Sequence, residues 1–475
     1  MRRLGIALCV SLLSFWCHTA FAVPAKAFPK FGQVEHPITS YIKVTETAGI
    51  PRKNLPVEAL IRCERGSLAD VNSLRLWKVE ADGKTPVPLQ ILEVHYPPET
   101  LVVEEKLVEH EDPLAFFFVE VVFLADVDAD NSTRYEVTVE DDPGPSVEEA
   151  LKVDGGEVGK NIITGPVVFE TSPTSGQLIG FTANWGKRIR AYFYSYDNNH
   201  AIHYTPDVYT KERAWGHTVD WNKPIRFDPL LEPSAPPVSF RHGEQVIDYV
   251  HPFYFREWRG PLMYRTSRWG RAPWNPEADL GVTYRFVAEA PYILGSSYVE
   301  FNESGQFNAV RTAELVFSRH LFDNCLWIDL NGQLHTTPCY DYENVHRDFG
   351  HIAEFPAQVP CSGFSNEREG FGVAYLNLGL TMTNKYSGYA SSEQAYGYFV
   401  DYHVHGRGSP KNFHYLSRPM VFRKNYTPSY VQKGSLYVSQ FAIVVFRVDV
   451  DADEPYEDLI RWWKVLSKPL MVEAD

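Results

Sequence analysis

The stretch Leu436-Tyr437-Val438-Ser439-Gln440-Phe441-Ala442-Ile443-Val444-Val445-Phe446 decides the fold class. It contains neither Gly nor Pro, and aromatic and β-branched side chains dominate it. Those side chains suit a pleated, half-buried surface, so the stretch reads as one long strand. Thr283-Tyr284-Arg285-Phe286-Val287 and Arg190-Ala191-Tyr192-Phe193-Tyr194-Ser195-Tyr196 read the same way, and few segments beyond residue 160 show a helical period. The one expected helix runs from Pro455 to Leu466, where Leu459, Ile460, Trp463, Val465 and Leu466 form an apolar stripe and Pro455 suits the first turn. No repeat of 20–50 residues is present, which argues against a propeller.

Upstream of this region the strands are shorter. Tyr41-Ile42-Lys43-Val44-Thr45 alternates, Val57-Glu58-Ala59-Leu60-Ile61 follows, and Phe116 to Phe123 is long enough for a central strand. Asp126 to Thr133 reads as a turn, with Tyr135 to Val139 expected to return as the partner of the strand before it. Asp141-Asp142-Pro143-Gly144-Pro145 then breaks the pattern. The expected architecture is mainly β. A small N-terminal β-sandwich or barrel covers 38–142, a linker 143–160, and a large antiparallel β-sandwich with a short C-terminal helix 161–475.

The composition narrows the function. With 475 residues, 44 % of them hydrophobic and 14 % aromatic, global disorder is excluded. Lys and Arg number 45 against 60 Asp and Glu, a formal charge of −15 without a basic tail, which argues against nucleic acid as a partner. Arg2 and Arg3, the apolar run Leu4–Trp16 and Ala20-Phe21-Ala22 have the layout of a cleaved signal peptide over 1–22. Its removal takes away two positive charges and leaves −17. No later run is apolar enough to insert in a membrane, so a periplasmic or secreted protein is expected. Cys63, Cys325, Cys339 and Cys361 survive cleavage; a disulfide among the last three is expected, with Cys63 a buried free thiol.

Three segments carry candidate chemistry. Between Phe255 and Trp274, Arg256, Arg259, Arg265, Arg268 and Arg271 alternate with Trp258, Tyr264, Trp269 and Trp274. Guanidinium forks grip carboxylate or sulfate, and flat aromatic rings offer sugar-stacking surfaces. Pairing of these arginines with Glu257, Glu277 and Asp279 is the structural alternative. Asp197 to Trp221 holds Asn199, His200, His203, Tyr204, Trp215 and His217, combining bases, a phenol and an amide. His403-Val404-His405 alternates so that both imidazoles share one face, a geometry that a structural Zn or Ca ion can use with a third ligand from His414 or the His346–His351 region. Asp126-Val-Asp-Ala-Asp and Asp449-Val-Asp-Ala-Asp lack the sixth-position glycine and twelfth-position Glu of an EF-hand loop. Serine-hydrolase, zincin and phosphate-loop motifs are missing from the chain.

In layout the chain resembles secreted bacterial polysaccharide lyases that pair a small N-terminal β-domain with a galactose-mutarotase-like super-β-sandwich. The residues that carry this are Thr45-Glu46-Thr47-Ala48-Gly49-Ile50-Pro51, the Asp126–Tyr135 turn, Ile163-Thr164-Gly165-Pro166-Val167, and Trp462-Trp463-Lys464-Val465-Leu466-Ser467-Lys468-Pro469-Leu470. The resemblance implies β-elimination on a uronate-containing, anionic polysaccharide or oligosaccharide, with no cofactor required. It supplies no catalytic motif residue by residue, so the candidates come from the segments above. His217 is the first choice of base and His200 the alternative; Tyr204 is the proton donor. Asn199, Arg259 and Arg265 neutralise the uronate carboxylate. Arg268, Trp215, Trp258 and Trp269 complete the substrate-binding set. Two rivals stand beside this reading. One is a glycoside hydrolase using a carboxylate pair, with Asp207, Glu212 and Asp220 nearest the aromatic segment. The other is a non-catalytic glycan binder using Trp258, Trp269 and Trp274.

Overall fold

The computed structural model describes residues 38–474, apart from 65–66, 97–99, 104–105, 110–115, 142–143, 146–149, 174–175, 177, 186, 193–217, 222–253, 272–277, 303, 319–321, 339–348, 356–358, 384–397, 405–411 and 423–428. The chain forms two compact units. The first comprises 1–150, 258–263 and 468–475; the second comprises 151–257 and 264–467. In chain order the strands are β1 (Tyr41–Thr45), β2 (Arg52–Glu64), β3 (Leu74–Glu80), β4 (Gly83–Val87), β5 (Gln90–His95), β6 (Thr100–Val103), β7 (Lys106–Glu109), β8 (Phe116–Val127) and β9 (Ser132–Val139). They continue with β10 (Lys152–Gly155), β11 (Lys160–Ile163), β12 (Val167–Thr171), β13 (Leu178–Trp185), β14 (Lys187–Tyr192), β15 (Thr218–Trp221), β16 (Tyr254–Trp258), β17 (Met263–Arg271), β18 (Ala278–Val287), β19 (Tyr292–Phe301) and β20 (Gly305–Ser318). The last are β21 (Asn324–Ile328), β22 (Leu334–Pro338), β23 (Phe349–Phe355), β24 (Cys361–Asn366), β25 (Phe371–Thr383), β26 (Tyr398–Val404), β27 (Asn412–Phe422), β28 (Ser429–Val431) and β29 (Leu436–Arg447). Helix α1 (Glu457–Ser467) and β30 (Met471–Ala474) close the chain. The protein is mainly β with a short C-terminal helix, as the sequence predicts.

In the first unit, a five-stranded sheet β30-β1-β9-β3-β4 and a three-stranded sheet β2-β8-β5 enclose one core of Ile42, Val44, Ile61, Leu76, Val121, Phe123 and Tyr135 with their neighbours. The turn after β8 does not make a hairpin. Strand β8 already has β2 and β5 on its two edges, so β9 crosses to the other sheet and pairs with β1 and β3. Glu46 holds that corner. Its carboxylate accepts from the Ala48, Ile50 and Asp130 backbone N–H groups at 2.9, 3.2 and 3.0 Å and from Arg52 Nη2 at 2.9 Å. Arg52 Nη2 also donates to the Lys468 carbonyl at 2.8 Å. Both charged side chains are buried. Two strands, β10 and the start of β11, fall where a linker is expected, and β30 belongs to the first unit rather than the large sandwich.

In the second unit, β10 to β14 form one sheet, β15-β20-β27-β26-β23 another with β28 on β20, and β16-β17-β18-β19-β29-β25-β24-β21-β22 a nine-stranded sheet. The Leu436–Phe446 stretch lies at the centre of the nine-stranded sheet. One face packs on the β10–β14 sheet through Phe169–Phe286 and Phe181–Phe371, with ring centroids 5.7 and 6.2 Å apart. Three glycines stand directly opposite aromatic residues: Gly281 with Tyr298, Gly295 with Phe441, and Gly372 with Phe446. A Cβ at any of them would lie 2.0–2.1 Å from a ring atom. The rings therefore occupy the space that a side chain would fill, and they shield backbone that glycine leaves bare.

The expected disulfide among the last three cysteines is not formed between Cys325 and Cys361, which are buried free thiols, and Cys339 lies outside the described residues. Cys325 and Cys361 sit out of register on neighbouring strands, facing Phe364 and Ile328 respectively. Cys63 is a buried free thiol, as expected, with burial pushing its pKa up to about 11.

Two predictions follow from the packing. Gly295→Ala forces Phe441 out of place and lowers unfolding stability by about 1–3 kcal/mol, read from the denaturant midpoint. An unchanged midpoint contradicts the packing. For Glu46, burial pushes the carboxyl up, but the Asp130 N–H, Arg52 and the Ala48 and Ile50 N–H groups overcome it and hold the pKa at about 2. A folded-state value below the ordinary carboxylate range adds stability that is present near neutral pH and lost as pH falls from about 4.5 toward 2. Glu46→Gln should destabilise the first unit at neutral pH and flatten this acid dependence in pH-scanned melts.

Candidate functional site

Alternation along β17 sorts the arginine-rich segment into two environments. The rings of Tyr264 and Phe286 stack at 5.9 Å, and Ser267 Oγ and Thr283 Oγ1 are 2.8 Å apart. Both contacts fit one antiparallel register of β17 on β18, with Arg265 opposite Arg285 and Trp269 opposite Gly281. Tyr264 and Arg268 share the face that packs on the β10–β14 sheet. Arg268 is buried there, its guanidinium 5.6 Å from the Tyr284 ring centroid and Nη2 3.5 Å from the Tyr284 hydroxyl. It is a core cation, and the expectation that it binds substrate is corrected.

The opposite face is polar. The register of β18, β19, β29 and β25 aligns Thr283, Ser296, Gln440 and Gly379 in one row, with Ser267 beside Thr283. Arg285 and Leu294 lie in the row to one side. Gly281, Tyr298 and Val438 lie in the row to the other, and Asp279 opposite Glu300 in the row beyond. Arg265 is 0 % exposed and Arg285 9 %. Arg265 therefore offers no surface of its own to a polymer, and Arg285 lies nearer to solvent. Side by side, they concentrate positive charge next to the polar row.

The exposed end of this face carries Trp269, Tyr254, Tyr298, Asp279 and Glu300. Tyr254, 53 % exposed, stacks on half-buried Trp269 at 5.5 Å with an interplanar angle of 19°. Asp279 and Glu300 are carboxylates directly opposite on adjacent strands, an arrangement that costs energy when both are charged. Burial and then the Asp279 charge raise the Glu300 pKa. Desolvation first, and then Asp279 and Glu300, push the Tyr298 phenol up, so it stays protonated in neutral solution. The sequence reading missed Asp279 and Glu300 as a pair because they lie 21 positions apart and only the strand register brings them together.

The other candidates divide as follows. Trp258 is buried, which removes it as a stacking surface, and Arg259 is exposed. Lys160 pairs with Glu257 at 3.2 Å, and Tyr264 donates to the same carboxylate oxygen at 2.7 Å. Asn199, His200, Tyr204, Asp207, Glu212, Trp215, His217, Trp274 and His405 lie outside the described residues. His403 stands opposite Phe413 in the β26–β27 register and His414 opposite Tyr402. No described helix is long and apolar enough to cross a membrane.

No known family profile matches the chain, and no curated protein does. Among solved structures it is similar to a protein in glycosyl hydrolase family 38 from Enterococcus faecalis, at 9 % identity and TM-score 0.48, covering 92 % of this chain and 47 % of that one. It is also similar to a TPR-domain-containing protein from Parabacteroides distasonis, at 10 % identity and TM-score 0.34, covering 84 % and 57 %. A third likeness is to a family 36 alpha-galactosidase from Geobacillus stearothermophilus, at 10 % identity and TM-score 0.31, covering 62 % and 40 %. The chain spans about half the length of these structures. At such identities and scores, the likenesses do not establish an activity.

One titration tests the carboxylate pair. Replacing Asp279 with Asn removes the negative neighbour and should lower the Glu300 midpoint, followed by carbon NMR of the labelled carboxyl. A midpoint that stays put means that the two groups are not coupled.

Proposed function

We propose that this protein cleaves an anionic, uronate-containing polysaccharide by β-elimination on the polar face of the nine-stranded sheet. The observation that carries the reading is the placement of Arg285 and Arg265 side by side next to a row of hydroxyls and the Gln440 amide, with the exposed Tyr254–Trp269 stack at the end of the same face. Arg285 meets the uronate carboxylate and Arg265 strengthens its field from beside it. Neutralising that carboxylate makes the C5 proton acidic enough to remove. A base takes this proton, the C4–O4 bond breaks, the electron pair becomes the C4–C5 double bond, and O4 leaves with a proton from an acid. Among the described residues, Tyr298 is the phenol on this face that could donate that proton. His217 is the proposed base, with His200 as the alternative; Tyr204 and Asn199 remain proposed proton donor and carboxylate partner. Trp215 and Arg259 remain proposed substrate contacts. A cleaved signal peptide would deliver the protein to the periplasm or medium, where such polymers are met.

A second reading, hydrolysis, is favoured by Asp279 and Glu300. Two carboxylates on one face, with the pKa of Glu300 raised, are the equipment of a glycosidase, Glu300 serving as acid and Asp279 as its partner.

One assay separates the readings. Purified protein is incubated with a panel of uronate polymers, sulfated and rhamnose-containing ones included, following ultraviolet absorbance and reducing ends together. Elimination raises both, because the new unsaturated uronate absorbs. Arg285→Ala should then cut kcat/KM by about 100-fold, equivalent to about 2.7 kcal/mol of transition-state stabilisation, and His217→Ala should abolish turnover while sparing binding. Reducing ends without absorbance overturn elimination, and loss of that activity in Glu300→Gln then establishes hydrolysis. Retention on a polysaccharide gel without either product leaves a glycan-binding protein.

A further inference from the structure

A second cluster lies in the first unit. On β5, Glu93 and His95 are two residues apart and share a face; on β8, Glu120 stands directly opposite Glu93. The ligating atoms of all three lie within 4.8 Å of one another, and His95 Nε2 is 3.1 Å from Glu120 Oε2. We propose that Glu93, His95 and Glu120 form a binding site for one divalent transition ion of the zinc class.

The backbone argues for this directly. The β5–β8 register shifts between Ile91 and Glu93, so that Ile91 faces Val121 but Glu93, not Leu92, faces Glu120. That bulge sets two carboxylates opposite each other, which regular pairing would have avoided. Like charges opposite each other cost stability, and Glu120 is only 4 % exposed; an ion bridging the two carboxylates would offset that cost. Bulges that re-aim side chains are frequent next to functional sites.

Other charged and polar groups lie near the cluster. The same face of β2 presents Glu58, Arg62 and Glu64. Gln90, next in line on β5, accepts from the Leu262 and Met263 N–H groups at 3.0 and 2.9 Å and donates to the Met263 carbonyl at 2.8 Å. The segment that it holds adds one cation, the exposed Arg259. One imidazole nitrogen with two carboxylates selects a borderline metal such as zinc over calcium or magnesium, which prefer oxygen ligands alone. Zinc also requires the imidazole to be deprotonated, so the metal would replace the proton that a His95–Glu120 ion pair carries.

The test uses the untagged full chain, stripped with a chelator and then dialysed against zinc chloride. Metal content is read by mass spectrometry and affinity by calorimetry, with calcium and magnesium chloride as parallel probes. The wild-type chain should retain one zinc per molecule and prefer it to both other ions. His95→Ala and Glu93→Gln, both at half-buried positions, should each weaken zinc binding by about tenfold or more while keeping the wild-type circular dichroism and denaturant midpoint of the stripped protein. Failure to retain zinc overturns the proposal, as does wild-type affinity in both variants, which would place the ion on other histidines. Preference for calcium overturns the zinc class. If Glu120→Gln does not fold, the two half-buried positions still decide the matter. None of these readouts depends on turnover of a polysaccharide.

Discussion

Side-chain alternation across the nine-stranded sheet is the constraint on which the rest of the large unit depends. One face must be apolar, because Phe286 and Phe371 meet Phe169 and Phe181 of the neighbouring sheet. Every second residue is thereby consigned to the other face, where polar groups gather. Arg265, Ser267, Thr283, Arg285, Ser296, Tyr298 and Gln440 are there because their neighbours in sequence are in the core. The same rule takes Arg268 out of the site, although it lies three residues from Arg265. A charged side chain can be drawn into a core when its stem packs and its head finds polar company, and the Tyr284 ring and hydroxyl supply part of that here.

The two units tune a carboxylate in opposite directions. Around Glu46 the backbone does most of the work: three N–H groups and one guanidinium converge on a single carboxylate, and its acidity rises despite burial. On the nine-stranded sheet, Glu300 has a carboxylate across from it and becomes a weaker acid. One environment suits a group that must stay ionised to hold a corner together. The other suits a group that can carry a proton to a reaction.

Much of the architecture was legible along the chain because strands and the helix are written locally. Leu436–Phe446, Phe116–Phe123 and the stripe Leu459–Leu466 carry their own periods, and each forms the element expected of it. Pairing is not written locally. That β9 would leave β8 for the other sheet depends on β5 having taken the free edge. The Asp279–Glu300 and Glu93–Glu120 pairs depend on register, and for the second on a single extra residue in β5. The aromatic and arginine content of residues 255–274 marked a chemically unusual segment. Which of its side chains meet solvent depended on the face that each strand position takes.

The strand β30 pairs with β1 at the edge of the first sheet, and Arg52 reaches the Lys468 carbonyl just before it. In sequence, most of the second unit is thus inserted between β9 and β30 of the first. Until β30 has been made, β1 has an open edge and Arg52 lacks one of its acceptors, so the first unit stays unfinished while the longer unit is being made. A chain without β30 would carry an exposed strand edge, which quality-control proteases and aggregation both exploit.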